Sequence, residues 1–261
     1  MAKISVKTLQ EMKIRGIKIA AATAHDASIA LLLDKNGIEV ILVGDSLGMV
    51  VQGHDSTLPV KMEHMIYHTC CVAKTNKNAL VIADMPFGSY TSNANAIENA
   101  VLLIQSGANM IKLEGGRELQ EIVKQLKLLG IPVCIHLGLL PQSINTMGGY
   151  YVQGRTEEAA KKISEDAEIL VNAGAQLAVL ECIPESLASD MSKLLKIPTI
   201  GIGSGKFTDG QILVTYDLLG LSNNNYKFCK SYADLIPSEA IKSYVKEVKE
   251  ISFPSKDHIL A

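Results

Sequence analysis

Four short apolar runs in the chain each lead into a carboxylate. Val40-Ile41-Leu42-Val43-Gly44 leads into Asp45, Leu80-Val81-Ile82-Ala83 into Asp84, Met110-Ile111-Lys112-Leu113 into Glu114, and Leu177-Ala178-Val179-Leu180 into Glu181. Short apolar runs bounded by Gly or turn residues read as strands buried on both faces of a parallel sheet. Acids at the carboxyl ends of several such strands gather where α/β enzymes carry out their chemistry. Further strands are expected over 17–23, 131–136 and 198–203, with an eighth inside 212–221. Amphipathic helices fit between them at 27–35, 61–74, 93–106, 118–129, 156–172 and 184–195, followed by an amphipathic tail over 238–251. Gly37, Gly107, Gly130 and Gly174 each precede a strand and suit the left-handed position past a helix end. Thr8-Leu9-Gln10-Glu11 has the form of a capping box and predicts a helix before the first strand.

Strands alternating with helices imply parallel, right-handed crossovers. The pattern predicts an α/β fold, a (β/α)8 TIM barrel, with a doubly wound open sheet as the alternative. No G-x-G-x-x-G follows the first strand, and no Pro- or Ser-rich linker divides the chain, so residues 1–261 are read as a single barrel domain with an N-terminal helix and a C-terminal helical tail. At 261 residues and 48% hydrophobic content the chain can bury one large core. A net charge of -2 argues against a nucleic-acid binder, and no apolar segment is long enough to span a bilayer. The N-terminal residues lack the apolar stretch of a signal peptide. The five cysteines include an adjacent pair and no Cys-x-x-Cys, which speaks against a disulfide framework or zinc site and fits a reducing cytosol, hence a cytoplasmic protein.

Side chains alternate faces along a strand. That puts Met110, Lys112 and Glu114 on one face, Cys134 with His136, Val43 with Asp45, Ile82 with Asp84, and Val179 with Glu181. Carboxylates crowded in a poorly solvated barrel mouth raise one another's pKa values, and a divalent cation relieves the repulsion. Oxygen ligands suit Mg²⁺, with Asp45, Asp84 and Glu114 around it and Lys112 supplying the remaining positive charge. The competing reading makes each acid an ordinary helix N-cap. Glu is a poor N-cap, which weakens that reading for Glu114 and Glu181, and Lys112 inside an apolar strand weakens it further. His136 alone reads equally as a satisfied core histidine or a substrate ligand. His64 and His68 have metal-pair spacing but no third ligand signal. Gly201-Ile202-Gly203-Ser204-Gly205 reads as a phosphate cradle or as a tight turn. The long connection over 139–155, with Pro141, Gly148, Gly149 and Gly154, favours a lid or binding role.

Seven stretches together resemble the ketopantoate hydroxymethyltransferase family: VGDSLGMVVQGHDSTLPV (43–60), IADMPFGSY (82–90), GANMIKLEGG (107–116), HLGLLPQS (136–143), GGYYVQGR (148–155), LECIP (180–184) and IGIGSG with TDGQILV (200–214). The resemblance covers about residues 20–220 in family order. It implies a barrel of the phosphoenolpyruvate/pyruvate type and Mg²⁺ near Asp45, Asp84 and Glu114, with Asp45 and Asp84 the clearest metal positions. It also implies that Asp45, Ser46, Asp84, Lys112 and His136 bind the substrate 3-methyl-2-oxobutanoate, and that Glu181 is the catalytic proton acceptor. The co-substrate would be 5,10-methylenetetrahydrofolate, the product 2-dehydropantoate for pantothenate and coenzyme A biosynthesis, and the assembly a homodecamer. Three departures from the family pattern stand out: Tyr151 for a basic residue, Ser204 for the usual Ala of GIGAG, and His25 where Tyr is common. The segment after Leu221, with Asn223-Asn224-Asn225 in an expected loop, is less familiar. The alternatives are a folate-independent aldolase or lyase of the same barrel type, including a Lys112 Schiff-base variant, and a non-catalytic binding or assembly protein.

Overall fold

A computed structural model describes residues 3–222, 224 and 226–260; Asn223 and Asn225 of the expected loop lie outside the described residues. Among the described residues, eight parallel strands close into a barrel in sequence order. They are β1 (Ile19–Thr23), β2 (Val40–Val43), β3 (Leu80–Asp84), β4 (Met110–Glu114), β5 (Val133–Gly138), β6 (Leu177–Glu181), β7 (Thr199–Ile202) and β8 (Gly210–Leu213). The helices, in chain order, are α1 (Val6–Ile14), α2 (Ala27–Lys35), α3 (Leu47–Val50), α4 (Met62–Thr75), α5 (Asn93–Gln105), α6 (Gln120–Leu128), α7 (Ile144–Met147), α8 (Glu157–Ala173), α9 (Glu185–Leu194), α10 (Thr215–Leu218) and α11 (Pro237–Lys249).

The strands read as continuous apolar runs because both of their faces are covered. Ala20, Ala22, Ile41 and Val43 pack outward with the helices, while Ile19, Ala21, Val40 and Leu42 pack inward with Leu80, Ile82 and Met110. Leu9 and Met12 of α1 join the inward cluster, so the N-terminal helix plugs the end of the barrel opposite the acids. The closure between β1 and β8 is pinned by α11. Its buried Tyr244 hydroxyl donates to the Ala21 carbonyl at 2.8 Å and the Gln211 carbonyl at 2.9 Å. Gly210 opens β8 where a Cβ would lie 2.4 Å from the Ile19 carbonyl, so the strand approaches β1 as closely as it does only without a side chain.

Three expectations are corrected. The first helix is capped by Ser5, not Thr8: Ser5 and Thr8 form the reciprocal hydroxyl–backbone box one turn earlier, with Thr8 at its third position. The eighth strand is Gly210–Leu213, because the chain turns into α10 at Thr215, whose hydroxyl donates to the Thr23 carbonyl. Val43 and Asp45 do not share a face: β2 ends at Val43, which packs outward, and Gly44 turns the chain so that Asp45 faces the cavity.

Candidate active site

The carboxyl ends of the strands surround a cavity of about 440 Å³. Asp45, Ser46, Asp84, Lys112, Glu114, His136 and Glu181 all line it, so the seven predicted site residues come together.

Lys112 is the electrostatic centre of the floor. Its Nζ donates to Asp84 Oδ1 at 2.6 Å and Glu114 Oε1 at 3.2 Å, in a side chain only 4% exposed. Burial opposes its charge, yet Asp84, Glu114 and Asp45 hold its pKa well above the usual lysine value. Glu114 is fully engaged. Oε1 also meets His136 Nδ1 at 3.0 Å, and Oε2 accepts from the Gln142 backbone N–H at 3.0 Å. Burial works against the ionised form, but Lys112 and His136 outweigh it and bring the Glu114 pKa down to about 2. Asp45 sits at the other extreme. Burial, then Asp84 and Glu114, push its pKa well above the usual carboxylate range. Asp84 is raised by burial, with Lys112 pulling back, and its Oδ2 accepts from the Asp45 backbone N–H at 3.0 Å.

None of these contacts is a helix cap. Asp84 and Glu114 bond to Lys112 and to backbone N–H groups of other strands' loops. Asp45 Oδ2 accepts from Gln142 Nε2 at 2.8 Å, and no side chain caps α3. The capping reading of Asp45, Asp84 and Glu114 is therefore not borne out.

Glu181 stands apart from this cluster. Its Oε2 lies 3.1 Å from His136 Nε2, close but without hydrogen-bond alignment. Its side chain is 15% exposed, against 2% for Glu114 and 3% for Asp84, and Asp45 is buried too, so Glu181 is the most accessible of the four acids lining the cavity. Burial and Lys112 disfavour a charged His136, but Glu114 and Glu181 on either side raise its pKa to about 9. The satisfied-core reading of this histidine gives way to that of a cationic bridge between two glutamates. Gly138, directly after His136-Leu137, lets β5 and β6 meet here: a Cβ would fall 2.2 Å from the Glu181 carbonyl.

Two supporting residues escaped the sequence reading. Gln142, buried on the long connection after β5, donates from Nε2 to Asp45 and to the Met85 carbonyl, while Tyr90 donates to its Oε1. One glutamine thus ties the loop to the acid floor. The only sequence signal was Pro141 opening a short helical turn. Gln142→Ala strips a buried acid of its donor and leaves the Tyr90 hydroxyl only the Glu114 carbonyl, at 3.3 Å. We expect a stability loss of about 1–3 kcal/mol in chemical denaturation, with kcat down roughly tenfold. Unchanged values of both would contradict the role.

The remaining candidates resolve differently. Ser204 donates to the Leu180 carbonyl at 2.8 Å, and Cβ atoms at Gly201 and Gly205 would clash with Thr208 and Glu185. The glycine segment is therefore packed as a tight turn, without the open backbone cradle that a phosphate needs. His64 accepts from the Lys61 backbone N–H and His68 meets the His25 carbonyl. Among the described residues, no three His, Cys, Asp or Glu groups are placed to enclose a metal on their own. Tyr151 lines the cavity rim.

His25, beyond β1, buries both ring nitrogens without a hydrogen bond among the described residues. Burial, then His68, lower its pKa to about 3 from 6.5. The folded state keeps it neutral while the unfolded chain takes a proton below 6.5. Stability is therefore full above that pH and falls as pH drops from 6.5 towards 3. At about 1.4 kcal/mol per unit the loss reaches a few kcal/mol. Denaturation against pH should show the His25→Phe variant losing less stability than the parent over this window; parallel curves would contradict it.

The chain matches the ketopantoate hydroxymethyltransferase family over residues 3–256. It is 52% identical over 261 residues to a 3-methyl-2-oxobutanoate hydroxymethyltransferase of Proteus mirabilis, covering 99% of both chains. The enzyme of the same name from Colwellia psychrerythraea is 51% identical over 264 residues, again with 99% of each covered. Among solved structures, a phosphonopyruvate hydrolase complexed with oxalate and Mg²⁺ superposes with a TM-score of 0.63 at 12% identity, covering 98% of this chain and 99% of that one. A 2,3-dimethylmalate lyase of the PEP mutase/isocitrate lyase superfamily gives 0.60 at 16% identity, covering 83% and 82%. Those two likenesses establish the shared barrel. The family match and the close relatives go further: the chain is a hydroxymethyltransferase and belongs to the ketopantoate hydroxymethyltransferase family.

Proposed function

We propose that the cavity joins 3-methyl-2-oxobutanoate to the one-carbon unit of 5,10-methylenetetrahydrofolate, giving 2-dehydropantoate and tetrahydrofolate. Mg²⁺ would sit at Asp45 and Asp84, and Glu181 would act as base. The observation that carries this reading is the separation of Glu181, facing the open cavity against His136, from the acid cluster around Lys112.

The donor set fits a divalent cation. Asp45, Asp84 and Glu114 share one lysine, and the pKa values of both aspartates are driven up by burial and crowding. The Ser46 hydroxyl beside them is buried without a hydrogen-bond partner among the described residues. Glu114, with both oxygens engaged, fits direct ligation less well than the two aspartates. A cation held there supplies Lewis acidity at the keto oxygen of the 2-oxo acid.

The chain's own groups do the rest. Lys112 holds the substrate carboxylate or offsets negative charge developing on the substrate. Ser46 donates a hydrogen bond to the acceptor. Glu181 takes the proton from C3, and His136, cationic at neutral pH, steadies the glutamate. The freed electron pair attacks the one-carbon unit and water supplies the hydroxyl; both carbon–nitrogen bonds to the folate break as the carbon–carbon and carbon–oxygen bonds form, and the two nitrogens take up the protons lost by C3 and by water. A Schiff base at Lys112 is disfavoured, because its neighbours hold the amine charged.

The test is product formation with 5,10-methylenetetrahydrofolate as sole one-carbon source. The reading predicts 2-dehydropantoate and tetrahydrofolate in equal amounts. Cleavage or condensation of the 2-oxo acid at full rate without any folate would favour the aldolase or lyase alternative.

A further inference from the structure

The cavity is larger than a small 2-oxo acid requires. Its 440 Å³ falls within the ~300–1,000 Å³ typical of sites for drug-sized ligands. The acid floor occupies one side. Another part of the wall, from α10 and the chain after it, carries Asp217, Tyr226 and Phe228, none of which has a part in the chemistry above.

The wall is built as a rigid platform. Asp217 lies in α10, whose Thr215 is fastened to the end of β1 by two hydrogen bonds to Thr23, at 3.1 and 2.6 Å. Tyr226 and Phe228 stack with ring centroids 5.2 Å apart and planes 6° from parallel. Phe228 packs against both the inward and the outward core clusters, which anchors the pair. Asp217 is a buried carboxyl at 7% exposure, and the donors to it, Ser222 and Asn224, both act on Oδ1. Burial raises its pKa above the usual carboxylate range. Tyr226 bridges the two regions. Burial comes first in raising its phenol to about 12, followed by Asp217, Tyr150 and Glu181, so the ring stands within electrostatic reach of both carboxylates.

We infer that Asp217 and the stacked Tyr226–Phe228 pair form the subsite for the flat nitrogen heterocycle of the one-carbon donor, with the Asp217 carboxylate receiving the adjacent N–H groups of its 2-amino-4-oxo ring. This rests on the folate reading given above. The chemistry matches in three respects. A carboxylate accepts two parallel N–H bonds from such an edge. A conjugated ring gains stacking on an aromatic face. A ring on Tyr226 lies in the same cavity as Glu181, where the acceptor carbon is generated.

The test measures tetrahydrofolate binding by fluorescence titration under anaerobic conditions, together with steady-state KM values for both substrates. Asp217→Asn turns one acceptor into a donor facing donors. It should weaken tetrahydrofolate binding and raise the donor KM by about 10- to 100-fold, while the 3-methyl-2-oxobutanoate KM rises far less. Tyr226→Leu, which leaves the carboxyl and its local hydrogen bonds in place, should weaken the donor by about fivefold or more. Wild-type binding of tetrahydrofolate matched by both variants would overturn the subsite alone. Equal losses for both substrates would also overturn it, since the wall would then act only on the shape of the whole site. A wild-type protein that neither binds tetrahydrofolate nor uses the methylene donor would overturn the folate reading and the subsite with it.

Discussion

Glu181→Gln should abolish deuterium exchange at C3 of 3-methyl-2-oxobutanoate and reduce turnover by about 100- to 10,000-fold, the usual worth of a positioned base. The substitution is nearly isosteric. It keeps the side chain at the end of β6 and removes only the basic oxygen and its charge next to His136. Binding of the 2-oxo acid in the presence of Mg²⁺ should survive, because Lys112, Asp84 and Asp45 lie in the separate cluster. Mass spectrometry of substrate incubated in D₂O reads the exchange directly. Rapid exchange in the variant would remove Glu181 from the base role. His136 would also titrate differently: with one of its two glutamates neutralised, its pKa should fall from about 9 towards the usual value, a shift visible by NMR.

Lys112→Met should be the most destabilising single change in the site. It leaves Asp84 and Glu114 buried without the cation that binds both. Removing one partner of a buried ion pair costs about 3–5 kcal/mol, because the remaining charge stays desolvated. Denaturation of a chelator-treated sample isolates this term from any metal contribution. A cycle with Asp84→Asn sharpens the test. In the double variant the orphaned charge at Asp84 is gone, so part of the loss should return. Additive losses would mean that the pair is not coupled as its 2.6 Å contact implies. Activity should fall with stability, since among the described residues Lys112 is the lysine paired with Asp84 and Glu114 in the cavity.

Much of this architecture was legible because two periodicities agree. Apolar runs of strand length recur between amphipathic segments, and the glycines that end helices α5 and α8 take up positive φ at Gly107 and Gly174. The placement of Lys112 and Glu114 on the inward face followed from alternation alone. Alternation failed at Asp45, because its strand stops at Val43 and a turn has no two-residue period. The eighth strand was misplaced for a related reason. It begins at a glycine chosen for close approach to β1, a constraint set by a residue almost two hundred positions away. Gln142 and Tyr90 were invisible for the same physical cause. Their importance lies in what they touch, and a buried glutamine on a loop has no local pattern that distinguishes it from a solvated one. The unequal roles of the four acids also needed the fold: only placement shows Glu114 saturated by cations, Asp45 crowded, and Glu181 facing the open cavity.

The measurement that bears most directly on the central claim is C3 hydrogen exchange of 3-methyl-2-oxobutanoate by the wild-type protein in D₂O, with no folate present. It is run with Mg²⁺, after chelation, and after Mg²⁺ is restored. The account predicts rapid exchange with the metal, loss on chelation and recovery on re-addition. Exchange indifferent to chelation, or none in the Mg²⁺-loaded protein, would contradict it.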